Sequence, residues 1–370
     1  MAQRWKKNLK EAVCINSYTH NKRGVDATGG LFRNWLEEIG FETRVYPREL
    51  IGDHLHFVSP KSGGREKILL LGHLDTVFPP GTFEGFEEDE RWVYGPGVCD
   101  MKGGNVVALE ALRAIYAANG TIEDIDLLFV SDEETGSDDS KQLTGELARG
   151  YDKCFVFEAA GEHMEVVVGR KGIGTFEITI EGKAAHAGTS YAKGVDANLE
   201  AALKLQKLVE LTDLEKGSTV NVGKIEGGIG ANTISPHAKL LFELRYANHR
   251  EKERVMRALD EIVSTDFVER TSSRLGGSIQ RDVMEPNVWQ KALIEAMERI
   301  SGQRLPVESR GGVSDANIVA SAGVVTIDGL GPYGDGDHTP KERALKTSFD
   351  ERIDLMTKVL MHHQKYGEIV

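Results

Sequence analysis

Apolar residues along the first third of the chain switch between helical and extended spacing. An amphipathic start is followed by a helical pattern over residues 25–39 and by extended segments at 41–46 and 68–71. The run Ile68-Leu69-Leu70-Leu71 is apolar without alternation, as a strand covered on both faces should be, and Asp126-Leu127-Leu128-Phe129-Val130 repeats that look. Both runs end in polar clusters, Gly72-His73-Leu74-Asp75 and Ser131-Asp132-Glu133-Glu134. Such clusters fall just past strand C-termini, where open α/β sheets place their ligands. The first expectation is therefore an α/β domain with chemistry at its strand ends.

From about residue 169 to 281 the pattern changes. Phe176, Ile178 and Ile180 alternate, a helical run covers 196–211, residues 219–225 are extended, and Leu240, Phe242 and Leu244 alternate. A second helical run over 250–263 precedes a weaker extended stretch. This is the element order of a split βαβ sandwich, so residues 169–281 read as an inserted α+β domain. Residues 282–370 return to helix–strand alternation and would complete the first domain, which is then discontinuous, 1–168 with 282–370.

A length of 370 residues agrees with two cores. The formal charge of −13 is spread over the chain and disfavours nucleic acid and anionic membranes as partners. The start, Met1-Ala2-Gln3-Arg4-Trp5-Lys6-Lys7, lacks an apolar stretch of signal-peptide length, and no later segment approaches a membrane span, so a cytoplasmic location is expected. Cys14, Cys99 and Cys154 are far apart and not spaced as metal pairs; buried, reduced thiols are the expectation.

Five segments carry candidate chemistry. His73 and Asp75 alternate on an extended segment and share a side, as an imidazole ligand and its orienting carboxylate do. Asp100 sits in the glycine-punctuated stretch YGPGVCDMKGG at 94–104, where it either bridges metals or caps the helix that follows. Ser131-Asp132-Glu133-Glu134-Thr135-Gly136-Ser137-Asp138-Asp139 crowds carboxylates behind a buried strand, which is costly unless cations or protons offset them; the plainer reading is a solvated acidic loop. Glu158 ends the apolar run 154–157, and His338 lies in a mobile-looking glycine loop at 334–340. Together His73, Asp100, Glu134, Glu158 and His338 make two imidazoles and three carboxylates, enough for a two-metal site bridged by one acid. Zinc suits these donors, and cobalt or manganese would also fit.

In order along the chain, these segments resemble the signatures of metallopeptidase family 20, which includes glutamate carboxypeptidases, aminoacylases, acetylornithine deacetylases and succinyl-diaminopimelate desuccinylases. The matching stretches are HLDTVFP at 73–79, YGPGVCDMKGG at 94–104, DEETGS at 132–137 and the FE of Phe157-Glu158. The likeness continues through GKAAHAG at 182–188, ANTIS at 231–235, LRY at 244–246 and RGGVSDAN at 310–317. The resemblance implies a zinc-peptidase-like catalytic domain with a mixed central sheet flanked by helices, and an inserted ferredoxin-like lid that also dimerises. It implies two Zn²⁺ per subunit, with Asp100 bridging, His73 and Glu158 on one ion and Glu134 and His338 on the other. Glu133 is then the general base, and Asp75 orients His73. Relatives often carry a second aspartate after the bridging one and a cis bond there; this chain has Asp100-Met101, and the bond's geometry is left open.

For the insert, the resemblance implies that His186 donates to the oxyanion in a neighbouring subunit's site, while Arg245, helped by Asn232, grips the substrate's free carboxylate. Without it, His186 reads as a surface histidine and Arg245 as a strand-end arginine. Lid closure makes the crossings near Gly169 and Arg281 expected hinges, with Gly169, Gly172 and Gly174 supplying backbone freedom. Lys171, Arg281 and Arg310 are possible extra positive charges, with surface ion pairs as the simpler reading. His54 with His56, and His362 with His363, are rejected as metal pairs because strand-end acids are lacking beside them.

The function so implied is hydrolysis of an amide next to a free carboxylate, with a small peptide or N-acyl amino acid as substrate. HLDTVFP and RGGVSDAN look most like the glutamate carboxypeptidase branch, which releases a C-terminal amino acid. N-acyl-amino-acid deacylases of the acetylornithine or succinyl-diaminopimelate type and dipeptidases share the ligands and remain alternatives. A non-catalytic metal-binding scaffold is the alternative of another class, and the retained Glu133 argues against it.

Overall fold

The apolar run beginning at Ile68 forms the middle of a six-stranded sheet in a computed structural model that describes residues 2–370. The strand Ile68–His73 is buried at every residue and lies between Ile125–Val130 and Lys153–Val156, parallel to both. Val325–Ile327 adds a further parallel strand beside Lys153–Val156. On the other side His54–Val58 and Glu42–Tyr46 continue the sheet antiparallel, so it is mixed. Helices supply the rest of this core: Phe32 and Leu36 from Lys22–Glu37, Val107 and Leu112 from Lys102–Asn119, Leu293 and Met297 from Val288–Ser301, Phe349 and Met356 from Lys346–Tyr366. Full burial of the central strands explains their unbroken apolar sequence.

The chain divides into two compact units. The first takes residues up to Val168, then Pro286–Arg310 and Ser314–Val370; the second takes Gly169–Glu285 and Gly311–Val313. In the second, four antiparallel strands lie in the order Thr219–Gly227, His237–Tyr246, Gly172–Glu181, Ser272–Arg281. Alternate residues Phe176, Ile178 and Ile180 face a separate core with Leu240, Phe242 and Leu244, closed by the helices Ala197–Val209 and His249–Ser264. Element order and strand order are those of a split βαβ sandwich. The unit runs past Arg281 because Tyr246 Oη donates to Asp282 Oδ1 at 2.7 Å and Arg170 pairs with Met284. Arg170 and Arg245 tie in the short segment 311–313, donating to the carbonyls of Gly312 at 3.2 Å and Gly311 at 2.9 Å.

Three expectations need correction here. Gly172 and Gly174 are inside a strand without positive φ, and a Cβ would stand 2.2 Å from the Tyr246 ring and 2.6 Å from that of Phe176. They are there for close packing, not for backbone freedom. Cys14 is exposed, unlike the buried Cys99 and Cys154. The segment carrying His338 is a hairpin tip, since Gly334–Asp335 pairs antiparallel with Arg343–Leu345. Among the described residues no helix is long and apolar enough to cross a membrane.

Candidate metal centre

Side chains from three strand ends, the turn before the helix Lys102–Asn119 and one hairpin meet at the C-terminal edge of the parallel strands. His73 is the last residue of its strand and is buried. Its Nδ1 lies 3.0 Å from the Asp75 carbonyl and 3.4 Å from Asp75 Oδ1, which leaves Nε2 to face the site. Asp75 is itself pinned: Oδ2 accepts from Thr19 Oγ1 at 2.7 Å, while Oδ1 and Oδ2 accept from the backbone amides of Glu133 and Glu134, each at 3.3 Å. One carboxylate thus couples the imidazole to the acidic turn Glu133–Thr135.

Asp100 precedes the helix Lys102–Asn119, whose N-cap is Met101 with no side-chain cap, so Asp100 is not a helix cap. The Asp100–Met101 peptide bond is cis. Asp100 Oδ1 is 3.2 Å from His73 Nε2 and Oδ2 is 3.2 Å from His338 Nε2. From the same helix Asn105 Nδ2 donates to the His73 carbonyl at 2.7 Å. Gly104 lets this helix approach the Phe157–Glu158 segment, because a Cβ there would stand 1.8 Å from the Phe157 carbonyl oxygen.

Glu134 Oε2 lies 3.2 Å from His338 Nε2 with its side chain only 4% exposed, so this member of the acidic run is not solvated. Glu158, past the strand Lys153–Val156, brings Oε1 to 3.8 Å from His73 Nε2. Ligand atoms of His73, Asp100 and Glu134 lie within 4.8 Å of one another, as do those of His73, Glu133 and Glu158. The first trio mixes ligands expected on different ions, and the second contains the expected base. The first follows from Asp100, whose oxygens reach both imidazoles.

The charges conflict. Burial raises Glu134 and Glu158 well above the usual carboxylate range, and the Asp100 charge adds to it. Burial works against protonated His73, yet Asp100, Asp75 and Glu158 raise it well above its ordinary value. Hydrogen bonds that Asp100 and Glu134 accept push His338 up to about 11. Burial likewise disfavours ionised Asp100, but His338 and His73 hold it below its ordinary range. Imidazoles and carboxylates here compete for protons in the place where dications would satisfy both, and nitrogen with oxygen donors at this spacing fit two zinc-like ions.

The second unit brings His186 and Asn232 together: His186 bridges Thr233, and Ala187 N donates to the Asn232 carbonyl at 2.9 Å. His186 Nδ1 accepts from the amides of Gly188 and Thr189 at 3.1 and 3.3 Å, which puts its proton on Nε2. Arg245 pairs through Nε with Glu243 Oε1 at 2.6 Å. Arg281 is buried, not a surface residue. Arg310 ties Glu308 at 2.7 Å and the Ala159 carbonyl at 2.9 Å.

The rejected histidines each have a structural partner, and the acids beside His54 and His56 stand before a helix and at the start of a strand. His54 Nε2 meets Asp139 at 2.9 Å while its Nδ1 accepts from Ser131 N at 3.2 Å; His56 meets Tyr151 Oη at 2.9 Å, with Asp126 3.9 Å away. His363 Nε2 donates to the Glu66 carbonyl at 2.7 Å, and the His362 ring packs on Tyr366. Residues that sequence reasoning missed are Thr19, Asn105, Asp337 and Glu342. The acids of Gly334-Asp335-Gly336-Asp337-His338, and Glu342 four residues on, were the one visible signal.

Residues 69–362 match the model of peptidase family M20/M25/M40, and the chain belongs to that family. It is 30% identical over 370 residues to carboxypeptidase G2 of Pseudomonas sp. (strain RS-16), covering 96% of this chain and 88% of the relative. It is 26% identical to the succinyl-diaminopimelate desuccinylase of Xylella fastidiosa (strain 9a5c), covering 86% and 89%. In fold it resembles aminopeptidase PepT from Bacillus cereus ATCC 10987, with a TM-score of 0.81, 21% identity and 98% of each chain covered. The chain is thus a metallopeptidase or amidohydrolase of this family.

Proposed function

We propose that this enzyme is a dinuclear, zinc-dependent amidohydrolase of glutamate-carboxypeptidase type, releasing a C-terminal amino acid from a small peptide or N-acyl amino acid. The observation that carries this reading is Asp100, whose two oxygens each stand 3.2 Å from a different imidazole, as a bridging ligand requires. His73 and Glu158 would hold one ion, Glu134 and His338 the other. When bound, the ions would acidify water and polarise the amide carbonyl. Glu133 takes the proton of the attacking water and returns it to the leaving amine. Asp75 fixes the His73 ring and, through two backbone amides, the position of Glu133.

His186, with its proton on Nε2, is a donor for the carbonyl oxygen as charge builds there. Arg245 carries a planar fork that here holds the Glu243 carboxylate through Nε and Nη2, and the substrate carboxylate would replace Glu243 on it, with Asn232 assisting. Arg245→Ala should raise KM for free-carboxylate substrates about 10–100-fold, the worth of a charged hydrogen bond, and should blunt the preference over C-terminal amides. Steady-state kinetics on matched acid and amide substrates checks this.

The second unit reads as a lid through which two copies pair. Supporting this, Thr219–Gly227 is an edge strand bearing Ile225 at 53% exposure, and Leu199 on the neighbouring helix is 49% exposed. If His186 serves the other copy's site, mixing His186→Ala with Glu133→Ala subunits restores part of the activity; none after proven subunit exchange would sink that arrangement.

The main experiment is release of free amino acid from N-acyl amino acids and dipeptides, each beside its C-terminal amide, with zinc or chelator. Metal-dependent cleavage confined to the free acids is the expected result. Metal-dependent cleavage without regard to the carboxylate would remove the carboxypeptidase assignment. The relative named as a succinyl-diaminopimelate desuccinylase favours one second reading, an N-acyl-amino-acid deacylase, which preference for succinyl or acetyl substrates over peptides would establish.

A further inference from the structure

Two carboxylates of the hairpin that carries His338, Asp337 and Glu342, grip the turn that presents Asp100. Glu342 Oε2 accepts from Gly97 N at 3.0 Å, while its Oε1 accepts from Cys99 N at 3.1 Å and Asp100 N at 3.2 Å. Asp337 Oδ1 accepts from the Cys99 thiol at 2.8 Å, and the same sulfur lies 3.5 Å from Glu342 Oε1. Cys99 and Glu342 are buried, and Gly334 packs so closely on the cysteine that a Cβ would stand 2.5 Å from that of Cys99.

These contacts join segments more than two hundred residues apart, so nothing local brings them together. Three carboxylates, Asp100, Asp337 and Glu342, are crowded around one short turn, which by itself disfavours the fold. What the crowding secures is geometry. His338 has the most exposed side chain in the cluster, at 58%, and sits at a hairpin tip with φ of 60°. An unrestrained tip would have to be ordered whenever an ion binds, and that cost would come out of the affinity. With Glu342 holding three amides at the hairpin's base and Asp337 holding the thiol beside the tip, the Asp100 carboxylate and the His338 ring face each other before any ion arrives.

We propose that Glu342, Asp337 and Cys99 are positioning residues that preassemble the Asp100–His338 half of the site, so that affinity for one of the two ions depends on them. This rests on the dinuclear reading above. The test is zinc stoichiometry and affinity, by elemental analysis and competition with a chromophoric chelator. The proteins are wild type, Glu342→Gln, Asp337→Ala, Cys99→Ala and Cys99→Ser, with far-UV circular dichroism of each metal-free protein to confirm folding.

The expected result is that one of two ions is held about 10–100-fold more weakly in Glu342→Gln, Asp337→Ala and Cys99→Ala, as loss of partners behind metal ligands typically produces. Cys99→Ser keeps a hydroxyl donor for Asp337 and should recover most of that affinity. In turnover the three weakened variants should lose kcat at limiting zinc, recover with added zinc, and keep KM. Variants that fold and bind both ions as tightly as wild type would overturn the proposal while leaving the dinuclear site intact. Equal weakening in Cys99→Ser and Cys99→Ala would overturn the role of the thiol. A wild-type protein that binds fewer than two ions would instead overturn the dinuclear reading, and this proposal with it.

Discussion

Glu133→Gln is expected to lower kcat about 10²–10⁴-fold, the usual contribution of a positioned general base, with KM and metal content near wild type. The backbone of the turn Glu133–Thr135 is held independently of this side chain: the Glu133 and Glu134 amides donate to Asp75, and Gly136 N closes on the Glu133 carbonyl at 2.9 Å. Removing the carboxylate's basicity therefore leaves the ligands Glu134 and His73 in place. Because a Glu133 oxygen also lies within 4.8 Å of the donor atoms of His73 and Glu158, metal content must be measured beside the rate. Two bound ions with lost turnover identify a base. Loss of an ion in step with the rate would make Glu133 a ligand, and wild-type turnover would refute the mechanism.

What the sequence disclosed follows from where its signals are periodic or terminal. His73, Glu133 and Glu134 stood just behind unbroken apolar runs, and such runs are strands covered on both faces whose ends open onto the ligand side. The split βαβ unit was equally readable, since Phe176, Ile178 and Ile180 alternate on a strand with one covered face. Burial of individual acids was not. Glu134 and Asp138 belong to one acidic run, yet the first side chain is 4% exposed and the second 74%. Tertiary contacts with the His338 hairpin decide which is which, and no local pattern encodes them.

Glu342 shows the same blindness from the other side. In sequence it sits between lysine and arginine and reads as a surface charge; in the structure it is 1% exposed and holds three amides of a turn far away along the chain. Gly172 and Gly174 were misread for a related reason. A glycine's composition does not reveal whether it is needed for its φ or for its missing Cβ, and here the Tyr246 and Phe176 rings occupy that space.

Lys204→Met should destabilise the second unit by about 3–5 kcal/mol, the cost of breaking a buried ion pair by removing one partner. Lys204 Nζ lies 3.0 Å from Glu200 Oε1, and both side chains are fully buried. The ammonium also donates to the carbonyls of Ile262 at 2.5 Å, Val263 at 3.2 Å and Thr265 at 2.6 Å, closing the C-terminal end of the helix His249–Ser264. Glu200 in turn accepts from Val268 N at 2.6 Å and Phe267 N at 3.3 Å, so this one pair fastens both helices to the loop that leads into the strand Ser272–Arg281. Methionine fills the volume but strands the Glu200 charge and three carbonyls. Trp5, Trp35, Trp92 and Trp289 all lie in the first unit, so tryptophan fluorescence will not report the change. Hydrogen exchange along Gly172–Glu181 and His237–Tyr246 will, through faster opening of these strands. Glu200→Gln combined with Lys204→Met should regain part of the loss because the stranded charge is gone, although the carbonyls remain open. A single variant within about 1 kcal/mol of wild type would mean that water or a neighbouring group replaces the ammonium, and that the pair is not what holds these helices.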